Sequence, residues 1–452
     1  MVVPLMVTTI VSLSTAGSPV ADQGQAHTVW VDYRGFRALR VGNGIVDLWI
    51  VPDIGGRILQ ARCRGYDYLF VNDELAGRVM PQVDEQGRAL PWSNYGGDKL
   101  WVAPQGPDDG SHWAGPPDPV LDGCRYGAEV LSPGGAEARV RLTSPSSPNK
   151  YGVQLIREIA LHAGESRVFL RTTMRSISDR NVRWAIWEVT QHDARNDRPP
   201  YYDDSLAAFV PARKDSRHPR GFYVMGGHWL NPAWQRSNAD ALVRVGFNYQ
   251  VGKIGVDSDA GWLAVLHGRA GMSFTESCGC FPDAEYTDDG SSVEFWINGC
   301  QRSIAGGTRV TSSEDRRLTP PFMESEVLSP YVELAPGESY SFEVVWGLGS
   351  GSGEPAAASE LGLVTSPAAT RRADGSAHVS ATVTPYVAGR IGVVFRGPGG
   401  GDLGRRVLGV AIPGERKVVR VSAREPLAER ACLVLLDDRG GVVGDLATLA
   451  IR

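Results

Sequence analysis

The chain has 452 residues, 42% hydrophobic and 21% charged, a balance that supplies a large core with room for a second domain and excludes general disorder. Its formal net charge of -5 comes without a basic run, which excludes the phosphate-binding surface that nucleic acid requires. The 54 glycines and 29 prolines punctuate short apolar runs, so many strands joined by turns are expected in place of long helices.

The first residues differ from the rest. Val2 to Ala16 carries no charge and ends in Ser14-Thr15-Ala16, a small-residue cleavage pattern, with polar sequence from Asp22. Residues 1–26 are therefore expected to be an export signal or a disordered apolar lead. The first basic residue is Arg34, so the basic start of a signal peptide is missing, and the start codon is one place to look for it. A secreted or envelope protein is expected, with a cytoplasmic one left open. No later run approaches the roughly 18 apolar residues that a membrane helix needs, so no membrane span is expected.

From Val29 to Trp346 the pattern is a procession of strands. Segments 38–41 and 45–51 flank Gly42-Asn43-Gly44, a hairpin turn tolerant of positive φ. Segments 57–63 and 68–71 flank Arg64-Gly65-Tyr66-Asp67 in the same way. Segments 138–142 and 340–344 alternate apolar with polar, and 153–161 and 168–174 are longer runs with the same leaning. So many strands imply two large packed sheets. Residues 347–357, Gly-Leu-Gly-Ser-Gly-Ser-Gly-Glu-Pro-Ala-Ala, read as a flexible linker. Beyond it, strands at 377–383, 391–395, 417–421 and 432–436 point to a small β-sandwich over 358–452. Its one histidine, His378, and its lack of an acidic or aromatic cluster suit a stabilising or adhesive accessory role.

Six cysteines, at 63, 124, 278, 280, 300 and 432, form no dense framework. Cys278-Gly-Cys280 is too short for a redox or zinc motif. A disulfide from Cys300 to that pair and buried free thiols are equally compatible with the spacing.

Two stretches carry the chemistry. Trp184-Ala-Ile-Trp-Glu-Val-Thr-Gln-His192 and Phe322-Met-Glu324-Ser-Glu326-Val-Leu-Ser-Pro330 each read as a strand end delivering an ionisable side chain. An imidazole facing a carboxylate is equipment for acid and base work on a sugar. His192 alternatively serves as a satisfied polar residue at a strand end, with Asp193 beside it as a partner. Glu324 and Glu326 share one face of their strand; in a cleft their repulsion would raise one pKa, and in solvent it would not. Asp98 and Lys99 in Gly-Gly-Asp-Lys-Leu-Trp form either a loop ion pair or a site where Gly96 and Gly97 let backbone approach a ligand. Trp92, Trp101, Trp113 and Trp187 suit either a stacking platform or the core. Asp283, Glu285 and Asp288-Asp289-Gly290 lack calcium-loop spacing, and no metal or cofactor is expected.

Five separated blocks carry a resemblance over roughly residues 29 to 346. They are Val51-Pro-Asp-Ile-Gly-Gly-Arg57-Ile, Asn94 to Gln105, Pro116-Pro-Asp-Pro-Val-Leu-Asp122-Gly, Trp184 to His192, and Glu324 to Pro330 with Leu334-Ala-Pro-Gly-Glu338. The chain resembles an uncharacterised bacterial domain family that is similar to the galactose mutarotase (aldose 1-epimerase) superfamily. The resemblance implies an all-β fold in which a mutarotase-like supersandwich over 27–346 precedes the small sandwich. It also implies a mono- or oligosaccharide ligand. Thr190-Gln191-His192 looks like the segment supplying the histidine that protonates the ring oxygen, and Met323-Glu324-Ser325-Glu326 is similar to the one supplying the glutamate base. Opening a hemiacetal needs a proton removed at O1 while another arrives at O5, so two groups of opposite role must flank the ring. His192 and Glu324 are the catalytic candidates; Arg57, Asp98, Lys99, Trp101, Trp187, Gln191 and Glu326 are the binding candidates. The second mutarotase histidine has no equivalent, and Lys99, Arg57 or His112 would have to fill its place. The family's Asn-Arg-Ile motif is also missing. Three functions follow as expectations: an aldose 1-epimerase-like enzyme, a polysaccharide lyase or hydrolase, or a non-enzymatic carbohydrate-binding protein of the envelope.

Overall fold

The computed structural model describes residues 24–452 apart from 87, 89, 107–112, 115–117, 147–150, 301–303, 306–307 and 310–318. Most of the apolar lead and His112 lie outside the described residues. The first strand begins at Ala26, the last residue of the expected lead.

Period-two patterning becomes strand as expected. Glu137–Thr143 alternates half-buried and buried residue by residue, because successive side chains leave a strand on opposite faces. The turn at Gly42-Asn43-Gly44 forms between Phe36–Gly42 and Val46–Val51. Asn43 Oδ1 accepts from the amides of Ile45 and Val46, and its Nδ2 donates to the carbonyls of His162 and Glu165, pinning the hairpin to the neighbouring sheet.

The large unit is built on two antiparallel ladders. One runs Ala26–Tyr33, Phe36–Gly42, Val46–Val51, Arg57–Cys63, Asp98–Ala103, Val182–Asp193, Phe322–Leu328, Val293–Asn298, Gly252–Val256 and Tyr223–Gly226. The other runs Gly127–Gly135, Glu137–Thr143, Val153–His162, Arg167–Ser176, Ser339–Ser350, Met272–Cys278, Trp262–His267, Leu206–Pro211, Leu242–Gly246 and Trp234–Ser237. A short pairing of Ala26 with Gly135 joins them. The ladders face each other across one continuous core that includes Leu48, Ile50, Val140, Ile159, Phe274, Phe295 and Trp346. Each fully buried side chain of this size contributes about 1.5–3 kcal/mol relative to exposure, which is what holds the two sheets together.

Residues beyond the large unit form two four-stranded sheets around a second core of Val379, Val383, Ile391, Phe395, Leu433 and Leu435. The glycine-rich junction is not the flexible linker expected over 347–357. Gly347 to Ser350 continue the Ser339–Ser350 strand, and Pro355–Ser359 is already the first strand of the small sandwich. A Cβ on Gly347 would lie 2.1 Å from the Tyr386 ring, and one on Gly349 2.7 Å from Gly414 Cα. These glycines are there for close packing, and Tyr386 locks the junction further through a 2.9 Å hydrogen bond with Thr275 Oγ1. All six cysteines are free thiols, so of the two readings that the spacing allowed the free-thiol one is found.

Candidate functional site

Register decides which side chains meet. Gln191 pairs with Glu324, Glu324 with Trp296 and Trp296 with Lys253, so these four form one row across four strands on a single face of the sheet. The next row along the strands holds Lys99, Val189, Glu326 and Glu294. The row after that places Trp101 opposite Trp187. Side chains on the other face of the same strands meet the second ladder, so this is the outer face of the sandwich.

Lys99 Nζ donates to Glu324 Oε1 at 2.9 Å, and Gln191 Nε2 donates to the same oxygen at 2.7 Å. No described donor reaches Glu324 Oε2, and the glutamate side chain keeps 11% exposure. In the next row, Trp187 Nε1 and Lys253 Nζ each approach Glu326 Oε2 at 2.8 Å, while Lys253 also lies 2.8 Å from Glu294 Oε2. Burial raises the carboxyls of Glu326 and Glu294. Burial opposes the Lys253 charge, but the two glutamates outweigh it and raise its pKa. The lysines also cap indole faces, Lys99 4.7 Å from the Trp101 ring centroid and Lys253 4.4 Å from that of Trp187.

One edge of this face is framed by Asp122. Asp118 caps the short turn Pro119–Gly123 by accepting from the amides of Val120 and Leu121, with Pro119 preset for the first helical position. That places Asp122 to accept from Trp101 Nε1 and Trp92 Nε1, both at 2.8 Å, and from Arg57 Nη2 at 2.7 Å. Arg57 is fully buried, and its other hydrogen bonds go to the carbonyls of Ile54, Gly96 and Asp122. It holds the edge from behind and does not reach the face as the ligand contact expected of it.

Two sequence candidates lie elsewhere. His192 and Asp98 point from the opposite face into the space between the ladders, where both have zero exposure. His192 Nε2 bonds Ser325 Oγ at 2.7 Å, Ser325 bonds Glu276, and the His192 ring packs against His267 and Phe274. Burial, with the neighbouring His267, pushes the His192 imidazole well below its ordinary pKa. Ser325 faces His192 because it lies between Glu324 and Glu326, so strand alternation itself separates the expected acid from the expected base. Asp98 is ion-paired to Arg157 and accepts from Thr190 Oγ1 at 3.0 Å. Arg157 also lies 3.5 Å from Glu188, whose carboxyl accepts from Trp346 Nε1 and is pushed up by burial and by Asp98 to about 8.

Thus Lys99, Trp101, Trp187, Gln191, Glu324 and Glu326 come together, and His192, Asp98 and Arg57 do not. Asp98 and Lys99 take opposite faces of one strand and are not a pair. Gly96 and Gly97 admit the backbone of neighbouring strands and not a ligand: added Cβ atoms would meet the carbonyl oxygens of Phe70 and Ile58. Trp296, Lys253, Glu294 and Asp122 were missed as site residues, although alternation in 293–298 already set Glu294 and Trp296 on one face. The acidic stretch near 285 is engaged with arginines, Glu285 with Arg183 and Asp289 with Arg217. Among the described residues no group of three or more ligating side chains gathers to hold a metal ion, and no helix is long and apolar enough to cross a membrane.

The profile of a family described as a domain of unknown function, DUF4380, matches residues 36–349. The chain belongs to the DUF4380 family. The matched DUF4380 segment contains every strand of the outer-face site. No functionally curated protein matches the sequence. Among solved structures, the chain is similar to a galactose mutarotase-like protein from Lactobacillus casei at 10% identity, with a TM-score of 0.43, covering 69% of this chain and 99% of that one. It is similar to a putative aldose 1-epimerase from Escherichia coli K12 at 12% identity and a TM-score of 0.42, covering 72% and 100%. It is also similar to a TPR-domain containing protein from Parabacteroides distasonis at 12% identity and a TM-score of 0.42, covering 69% of this chain but only 46% of that protein.

Proposed function

We propose that the DUF4380 domain binds a carbohydrate on the outer face centred on Glu324. The supporting observation is the state of that carboxylate: Lys99 and Gln191 hold Oε1, and Oε2 meets no described donor at the exposed edge of the group. A carboxylate fixed in this way accepts a sugar hydroxyl without first having to be ordered. Trp296, directly opposite Glu324 in the register and partly exposed, supplies an aromatic face for the apolar side of a ring, and Trp92 is 37% exposed beyond Trp101.

Binding is favoured over anomeric catalysis for a geometric reason. Hemiacetal opening needs an acid on the far side of the sugar from the base, and His192 lies across the sheet from Glu324, sealed among His267, Phe274 and Ser325. Proton NMR of the protein with a panel of freshly dissolved monosaccharides and oligosaccharides, uronic acids included, tests the proposal. Line broadening for one sugar, lost in Glu324→Gln, is the expected result. Accelerated anomeric exchange would replace binding by epimerase activity. New reducing ends or unsaturated uronate signals would replace it by cleavage, and silence across the panel would end the carbohydrate reading.

A further inference from the structure

The small sandwich covers only part of the ladder beneath it. Ala207, Phe209 and Leu266 turn outward from their strands and pack with Ala358, Leu363 and Tyr386 of the small sandwich. Where that cover stops, at Gly351 to Glu354, a recess of about 470 Å³ remains over the same apolar residues. Junctions between packed units are favoured places for ligand pockets, and this volume falls within the usual range.

Two polar groups in the recess lack counterparts. Arg244, directly opposite Phe209 in the register, lays its guanidinium 5.9 Å from that ring centroid and spends one donor on Gln235 Oε1 at 3.0 Å. No carboxylate among the described residues is ion-paired with it, and burial lowers its pKa, the mark of a cation short of compensation. Glu354 on the rim acts on it only through its field. Ser237 Oγ, also lining the recess, is buried with no partner among the described residues. A planar guanidinium with free donors matches a carboxylate in two-point geometry, and an apolar floor beside it asks for a hydrocarbon or ring body.

We propose that this recess binds a small organic carboxylate, its anionic end on Arg244 and Ser237 and its apolar body on Phe209, Ala207 and Leu266. The site is separate from the Glu324 face and does not depend on the carbohydrate reading.

Ligand-observed saturation-transfer NMR on the full chain tests it with three probes: benzoate, its neutral isostere benzamide, and inorganic phosphate. Benzoate is expected to bind at least about tenfold more tightly than either. Arg244→Gln should abolish the preference, Arg244→Lys should weaken it because one point charge replaces a fork, and Glu324→Gln should leave it unchanged. Glu354→Gln should hold or tighten benzoate binding by removing a competing charge. Equal binding of benzoate and benzamide would overturn the proposal, as would phosphate matching benzoate, loss of binding in Glu354→Gln, undiminished binding in Arg244→Gln with native circular dichroism, or no binding at millimolar benzoate.

Discussion

The two faces of the strand Val182–Asp193 carry similar chemistry to opposite ends. On the inner face, Glu188, Thr190 and His192 join Arg157, Asp98, Ser325 and Glu276 in a polar network sealed between the ladders. On the outer face, Trp187, Val189 and Gln191 stand beside Lys99, Glu324 and Glu326, and there Glu324 Oε2 meets no described donor. The inner charges are wholly buried, whereas on the outer face Lys99 and Gln191 hold Glu324 Oε1 and that side chain keeps 11% exposure. One residue of alternation therefore separates a group that holds the fold from a group that can serve a ligand.

That contrast can be broken from either side. The largest effect is expected from Arg157→Met, which leaves Asp98 and Glu188 buried without their cation; a loss of about 3–5 kcal/mol in denaturant unfolding is expected. On the outer face, Glu324→Gln should cost about 1.5–3 kcal/mol of sugar affinity, roughly ten- to a hundredfold, by titration calorimetry, and it should also lower the unfolding midpoint, because the buried Lys99 loses its ion-paired carboxylate. The inner face should also respond to pH. Glu188 has its pKa raised to about 8 in the fold, so its stabilising contribution is complete below the ordinary glutamate pKa and is lost as pH rises through about 8. Glu188→Gln should therefore gain on the wild type with rising pH across that window, by at most about 1.4 kcal/mol per pH unit in denaturant titrations. A wild type that gains on the variant instead would contradict a protonated Glu188. The smallest effect is expected from Trp296→Ala, which should lower sugar affinity by about 0.5–1.5 kcal/mol and leave its specificity unchanged.

Much of the fold is legible in the chain. Segments such as 137–143 alternate cleanly because one face is wet, and the turn at Gly42-Asn43-Gly44 announces its hairpin. The pairing of Glu324 with Glu326 on one face follows from parity alone. Parity fails for His192, because the Val182–Asp193 strand is buried on both sides and its sequence does not say which side is the core. Only the register of Gln191 with Glu324 settles that, and it joins residues 133 apart. The Lys99 to Glu324 contact spans 225 residues and leaves no local trace. The glycines of 347–351 misled for a different reason. Composition alone does not distinguish a glycine that frees the backbone from one that makes room for Tyr386.

The most direct test sets Glu324→Gln beside His192→Asn in the same NMR titration with the sugar that broadens in the wild type, together with the anomeric exchange rate. Glu324→Gln is expected to lose binding while folded and His192→Asn to lose stability but bind as the wild type does, with no protein-dependent anomeric exchange in any of the three. Loss of sugar binding or of anomeric exchange in a folded His192→Asn would contradict it, because a side chain sealed between the sheets would then be acting on the ligand.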